Sequence, residues 1–430
     1  MDAQDVKKRR AREEGRDEEP QGDEVLVLPS GTWLRLDRPE LESLRKLIEE
    51  ARGLSDRPDG PTVAVNRFQL GWWDELTALG VVRNQSARWE RATAQLGGLV
   101  APEPVELPSS LQATLRPYQH EGFDWLAFLH RHGLGGILAD DMGLGKTVQA
   151  LAMILDEREQ ADPDDAGPAP WLVVAPTSVV PNWAAEILRF APTLNVHRLA
   201  TAGDRAALVA GLGPRDVLLC SYGLLPQEEP LLTGRAWATV ILDEAQAVKN
   251  HQSATYQCVR RLSTGVKFAI TGTPMENNLM ELWSLLSVTA PGLFPSPTTF
   301  TNYFRKPIES GSAPERLDTL RRRIKPLMLR RTKDQVAIDL PPKQEQAMVL
   351  DLSSKHRKIY DTRLARERQK VLGLLGDWEK NRFQVFRSLS MLRQLSLHAA
   401  LVDSSHNAVN SAKVDYLSEQ LPALVDEGHS

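Results

Sequence analysis

Cysteine is scarce in this chain: among 430 residues only Cys220 and Cys258 carry a thiol. Two thiols so far apart make neither a zinc-ligand spacing nor a disulfide framework, and the usage suits a reducing cytoplasm. Long hydrophobic runs are also missing. No apolar stretch approaches the ~18–20 residues of a membrane span, so no membrane is expected as a partner. The opening residues, MDAQDVKKRRAREEGRDEEPQGD, have no apolar centre and do not form a secretory signal. Nor is there an excess of positive charge. A formal net charge of −4 argues against a globally basic coat and restricts any nucleic-acid binding to local patches. What remains is a soluble globular composition, 42% apolar and 25% charged, with length enough for two or three domains.

Residues 1–23 are dense in charges of both signs and are expected to form a disordered tail. Val25 to Leu28 and Thr32 to Leu36, split by Pro-Ser-Gly, read as a β-hairpin. Leu41, Leu44, Leu47 and Ile48 mark one helix face that stops at Gly53. Further helices are expected around Phe68–Leu79 and Ala87–Leu96, their aromatics serving as core. Together residues 24–100 form an accessory α+β unit, joined by a Pro-rich linker over 101–110. From 111 to 292 short apolar runs alternate with helix-length segments. The runs are Ile137–Ala139, Trp171–Ala175, Val196–Leu199, Val217–Cys220, Val240–Leu242 and Phe268–Ile270. Continuous apolarity fits strands covered on both faces, so the fold class is α/β, a parallel doubly wound sheet. Residues 293–430 turn helical.

One stretch, Asp140-Asp141-Met142-Gly143-Leu144-Gly145-Lys146-Thr147, sits between such a strand and an amphipathic helix. That layout is a phosphate-binding loop: backbone N–H groups and a helix N-terminus favour an anion. Lys146 is placed to reach the β- and γ-phosphates of a nucleotide, and the Thr147 hydroxyl to ligate Mg²⁺. Asp140 departs from the strict pattern, which begins with glycine. About 100 residues later an apolar strand delivers Asp243-Glu244-Ala245-Gln246. Asp243 fits a metal-holding role and Glu244 a base for the attacking water. Thr271-Gly272-Thr273-Pro274 ends the next strand with hydroxyls able to sense phosphate state. Thr177 and Ser178 follow another strand, where a nucleic-acid phosphate can be held. Gln119, ahead of an aromatic helix, carries the paired donor and acceptor that read an adenine edge.

Taken together, LRPYQHEGFDWL, ILADDMGLGKT, VVAPTSVVPNW, ILDEAQAVKN and ITGTPMENN resemble the ordered motifs of the Swi/Snf-type ATPases, double-stranded-DNA translocases of helicase superfamily two. The resemblance runs from about Leu115 onward, roughly three quarters of the chain. It implies a RecA-like P-loop lobe using ATP and Mg²⁺, with Gln119 on adenine and Asp140 to Thr147 on the nucleotide. It further implies Lys146 and Thr147 on phosphate and metal, Asp243 and Glu244 on metal and water, and Gln246, Thr271, Gly272 and Thr273 in coupling. Asp140 ceases to be an anomaly, since the family's loop also begins with an acid. The N-terminal unit is similar to the segment preceding the motor in bacterial members. A cytoplasmic, nucleoid-associated protein is implied.

Seven cationic residues, Arg321, Arg322, Arg323, Lys325, Arg330, Arg331 and Lys333, lie within thirteen positions. They fit a solvated helix face as well as a DNA-phosphate role, in which Arg330 and Arg331 are the candidates. In the family this region braces the two motor lobes, and Lys355–Leu401 resembles its helical insert. His356 stands where glutamine is usual, and His398 lacks the proline that commonly follows. A last helix opens at Ser411-Ala412-Lys413, where family members continue into a second RecA-like lobe. The expectation is therefore a truncated motor, or one completed by a separately encoded second lobe. Without that lobe's arginine fingers, worth roughly a thousandfold or more in rate, ATP should be bound but hydrolysed slowly. A nucleotide-switched, non-catalytic DNA- or protein-binding module is the alternative. An RNA helicase is disfavoured by DEAQ and the long helical region.

Overall fold

The structure, a computed structural model, describes residues 25–27, 33–35, 39–54, 68–69, 75, 104–160, 169–275, 278–294, 296–336, 347–374 and 378–426. The charged tail, the helix expected at Ala87–Leu96, most of the one at Phe68–Leu79 and the start of the linker lie outside them. Two compact units divide the chain, one reaching Ile338 and the next starting at Asp339.

In the first unit, β1 (Val25–Val27) and β2 (Trp33–Arg35) pair antiparallel, as the hairpin reading expected. Helix α1 (Pro39–Gly53) buries Leu47, Glu50 and Ala51, with Leu54 buried just past its end, and leaves Ile48 outward. The buried stripe thus contains a carboxylate. Its partner is Arg323, whose Nε and Nη2 donate to the two Glu50 oxygens at 2.8 and 2.7 Å, while Nη1 donates to Glu75 at 2.9 Å. A buried guanidinium tolerates its site only when paired and fully hydrogen-bonded, and two carboxylates meet that demand. Part of the cationic run is therefore internal: Arg323 staples the accessory helix to the helix Glu315–Ile324.

Helix α2 (Pro117–Arg131) leads to β3 (Gly136–Leu138), α3 (Lys146–Gln160), β4 (Trp171–Ala175), α4 (Val180–Phe190) and β5 (Asn195–Arg198). Then come α5 (Arg205–Gly211), β6 (Asp216–Ser221), α6 (Glu229–Thr233), β7 (Ala236–Asp243), α7 (Ala254–Arg261), β8 (Ser263–Ile270) and α8 (Leu279–Thr289). The strand order is β5-β6-β4-β7-β8-β3-β9, with β9 being Met328–Leu329, and every pairing is parallel. All of β4 is buried, because helices cover both faces. Each apolar run named from sequence lies in or overlaps one of these strands.

Strand β9 is an element that sequence patterning missed, and the first compact unit runs past the expected boundary at 292/293 to include it. After α8 the chain continues through α9 (Glu315–Ile324) into β9, which lies parallel beside β3. Phe294, Phe300, Phe304, Leu320, Ile324 and Leu327 join the same core as the sheet. Burial of these aromatics, rather than helical periodicity, decides where the unit stops.

His130 of α2 packs against this core, half-buried, with Nε2 3.0 Å from the Thr239 hydroxyl and its ring stacked on Trp171. Burial, reinforced by Arg158 and Arg131, lowers its pKa to about 4. The folded protein holds it neutral, whereas the unfolded chain takes up a proton near pH 6.5. Its contribution to stability is therefore intact above that pH and is lost as pH falls toward the folded value. Between pH 6.5 and 5 the loss should be about 2 kcal/mol. Urea midpoints measured at pH 7 and pH 5 should differ less in His130→Gln than in the parent, and equal pH sensitivity would contradict this assignment.

The second unit contains α10 (Ser354–Leu374), α11 (Trp378–Leu397) and α12 (Ala412–Asp426). The first two run in opposite directions. His356 Nε2 lies 2.6 Å from the Leu395 carbonyl, and Ser388 donates to the buried Glu367 at 2.7 Å. The histidine that departs from family usage is thus a buried helix–helix tie. Among the described residues no helix is long and apolar enough to cross a membrane.

Candidate nucleotide site

The carboxyl ends of β3, β7 and β8 bring together most of the residues singled out from sequence. The loop after β3 turns through Gly143 and Gly145, at φ 84° and 72°, where a side chain is disfavoured. At Gly145 space adds a second constraint, since a Cβ there would lie 2.3 Å from Gln119 Nε2. Lys146, at the start of α3, donates from Nζ to the carbonyls of Asp140 and Asp141 at 2.7 and 3.0 Å. Burial lowers its pKa, opposed by Glu244, Asp140, Asp243 and Asp141. An ammonium surrounded by carboxylates and carbonyls stays available to a phosphate without a fixed counter-ion of its own.

Asp140, by contrast, does not face the loop's anion site. Its carboxylate is fully buried and accepts Arg331 Nε at 3.1 Å, Nη2 at 2.5 Å and the Arg331 backbone N–H at 3.0 Å. Arg331 Nη2 also donates to Gln149 at 3.0 Å, and Nη1 to the Tyr118 carbonyl. Arg331 is 8% exposed. The expectation that Arg331 touches DNA phosphate is corrected here: its donors are spent inside the protein. Gln149, on the buried side of α3, closes the arrangement by donating to the Leu144 and Gly145 carbonyls, both at 3.3 Å. Gly122 of α2 permits it, because a Cβ there would stand 1.8 Å from Gln149 Oε1. Alongside, the Ala139 N–H donates to Leu329 and the Asp141 N–H to Arg331, while the Asp141 carboxylate accepts the Lys333 N–H. The loop is thus held from behind by residues nearly two hundred positions later.

Gln119 lies against this loop, its Nε2 donating to the Leu144 carbonyl at 3.2 Å and its Oε1 accepting the Arg116 N–H at 2.9 Å. One N–H and one lone pair remain for a base edge. Met142 is exposed, and a Cβ on Gly272 would lie 3.0 Å from its Cγ. The Thr271–Thr273 turn therefore packs directly on the phosphate loop.

Asp243 ends β7 with a buried carboxylate. Burial pushes its pKa up, against the Trp183 and Glu244 N–H groups that favour the anion. Glu244 follows in the left-handed region, at φ 47° and ψ 55°, the one non-glycine residue with positive φ among those described. A bulky residue there costs on the order of 1–3 kcal/mol, and such strain clusters at functional sites. Gln246 donates to the Glu244 carboxylate at 2.9 Å and accepts from the Thr271 hydroxyl at 3.3 Å; Thr271 in turn accepts the Thr273 N–H at 3.1 Å. A continuous hydrogen-bonded chain thus joins the acidic pair to the turn after β8.

The donor set suits Mg²⁺. Hard oxygens from Thr147 and Asp243 are few, and Mg²⁺ prefers one or two protein oxygens plus phosphates and water to a closed cage. Among the described residues no group of three or more His, Cys, Asp or Glu side chains forms such a cage. Thr177 and Ser178 stand exposed at the carboxyl end of β4, and Arg330 is exposed beside β9. Trp183, Glu186, Tyr222 and Gln149 are the site residues that sequence reading missed. The first two stand at i and i+3 on α4, and that shared face was the available signal.

A parallel sheet carrying a glycine-turned Lys-Thr loop at one strand end and an Asp-Glu pair two strands away defines a RecA-like P-loop lobe. The SNF2-related domain profile matches residues 118–401, about two thirds of the chain, and the protein belongs to that family. YwqA of Bacillus subtilis, whose name describes an ATP-dependent helicase/translocase, is 32% identical over 94% of this chain and 45% of its own length. The ISWI chromatin-remodeling complex ATPase ISW1 of Saccharomyces cerevisiae is 33% identical over 75% of this chain and 29% of its own. The chromatin-remodeling ATPase INO80 of Cryptococcus neoformans is 37% identical over 64% and 16%. The chain thus spans less than half the length of each of these relatives.

Proposed function

We propose that this chain is the ATP-binding part of a double-stranded-DNA-dependent ATPase that acts as a translocase. The observation that carries the reading is the meeting of Lys146, Thr147, Asp243 and Glu244 at the ends of β3 and β7, with the Thr271 turn linked to them. In this reading the loop N–H groups and Lys146 hold the phosphates, Gln119 meets the adenine edge, and Thr147 and Asp243 hold Mg²⁺. Held there, Mg²⁺ would supply neutralisation of phosphate charge. Glu244 accepts a hydrogen bond from the attacking water and orients it toward the γ-phosphate. Gln246, Thr271, Gly272 and Thr273 sense whether that phosphate is present. Thr177, Ser178 and Arg330 meet the DNA backbone, where their contacts are indifferent to sequence. Full turnover takes cations from a second motor lobe in addition to these residues, so these 430 residues tested alone should turn ATP over slowly. The protein works in the cytoplasm, on the nucleoid.

Two measurements test this. A fluorescent ATP analogue with Mg²⁺ should bind the chain, and Lys146→Ala should weaken binding about tenfold or more, the value of a charge-assisted hydrogen bond. Phosphate release should be slow and respond to duplex DNA rather than RNA. Equal stimulation by RNA would overturn the DNA assignment, and fast DNA-stimulated turnover by this chain alone would overturn the need for a second lobe.

A further inference from the structure

Three neighbouring strand ends close on a single residue, Asp243. In the sheet, β4 lies between β6 and β7. From the helix after β4, Trp183 Nε1 donates to Asp243 Oδ2 at 2.7 Å. From the end of β6, the Tyr222 hydroxyl donates to the Asp243 backbone carbonyl at 2.8 Å, passing over β4, whose Ala175 carbonyl accepts the Tyr222 N–H. From β7 itself, the Glu244 N–H donates to Asp243 Oδ1 at 2.9 Å. Trp183 is 1% exposed. Its indole has one donor, and that donor is spent on a carboxylate that burial disfavours. Glu186, one turn further on α4, faces the Thr147 hydroxyl and the Asp243 carboxylate. Both oxygens assigned to Mg²⁺ are thus approached by one helix, and that helix begins in the turn carrying exposed Thr177 and Ser178.

We propose that Trp183 and Glu186 are positioning residues that set Asp243 and Thr147 for Mg²⁺, so that α4 gears the turn at Thr177 and Ser178 to the metal. The proposal rests on the reading of Asp243 and Thr147 as metal-side residues given above. Trp183 pins one Asp243 oxygen and the Glu244 N–H the other, so each keeps a lone pair turned to the site and the carboxylate cannot swing. Removing the indole donor frees the rotamer and leaves a buried anion one partner short. Outer partners of metal ligands commonly govern affinity by about tenfold to a hundredfold.

The test titrates MgCl₂ into the 430-residue chain holding a fluorescent, non-hydrolysable ATP analogue. Trp183→Phe should raise the Mg²⁺ midpoint about tenfold, with analogue affinity in EDTA unchanged. Duplex DNA should lower the midpoint in the parent and no longer do so in Trp183→Phe. Should Trp183→Phe not fold, Glu186→Gln, at a half-buried position, carries the same readouts in the same direction. A folded variant with the parental midpoint overturns the positioning role. A parent whose analogue binding ignores Mg²⁺ overturns instead the metal assignment beneath it, so the two failures are distinguishable.

Discussion

Asp140→Ala should lower the stability of the first unit by about 3–5 kcal/mol, the cost of leaving a buried charge without its partner. The Arg331 guanidinium lies against α2 and α3, and the Asp140 carboxylate accepts two of its N–H groups together with the Arg331 backbone N–H. Alanine removes all three and leaves a largely buried cation without its carboxylate. The double replacement Asp140→Leu with Arg331→Met should recover much of the loss, because apolar groups of similar volume dispense with the desolvation that the pair must offset. Urea unfolding of the parent, both single variants and the double variant forms a closed cycle. Additive losses would mean that the two side chains do not act as a pair. The family's acidic start to the phosphate loop thereby acquires a physical reason, since the residue anchors the loop's flank rather than the nucleotide.

Glu244→Gln is expected to abolish most turnover while sparing nucleotide binding. The amide keeps the shape and the Gln246 contact but cannot take a proton or orient water as a base. Loss of a general base costs about a hundredfold to ten-thousandfold in rate. Single-turnover hydrolysis with duplex DNA measures the rate, and the fluorescent analogue measures affinity. The left-handed backbone of Glu244 sharpens the expectation. Strain at this position is retained by the fold, held through Asp243 and Tyr222, so its side chain is aimed before any ligand arrives. A variant that hydrolyses ATP at the parental rate would remove Glu244 from the chemistry.

The sheet was legible because strands covered on both faces must be continuously apolar, and the runs at Trp171–Ala175 and Val240–Leu242 can hardly be anything else. The phosphate loop was legible because its glycines and Lys-Thr answer to backbone geometry. Strand β9 was not, since two residues flanked by cations carry no periodicity. The cationic run misled for a related reason. Arg323 and Arg331 look like their exposed neighbours Arg322 and Arg330 in sequence, and only the arrival of Glu50 and Asp140 from distant elements separates them. Trp183 was hidden in another way: an indole reads as core, and its single polar atom finds Asp243 only once β4 and β7 are neighbours.

The pairing of Asp140 with Arg331 also imposes an order of events during synthesis. A chain emerging from the ribosome presents the phosphate loop early, yet the arginine that locks the loop's flank is made about 190 residues later. Contacts of such long sequence separation form late, after the loop-closure entropy between them has been met. Until then Asp140 is an acid at the edge of an unfinished sheet, free to stay hydrated. The nascent lobe therefore gains the anchored flank of its glycine loop only when its last strand has docked, and a ribosome-bound chain cut short of Arg331 would carry the motif without that anchor.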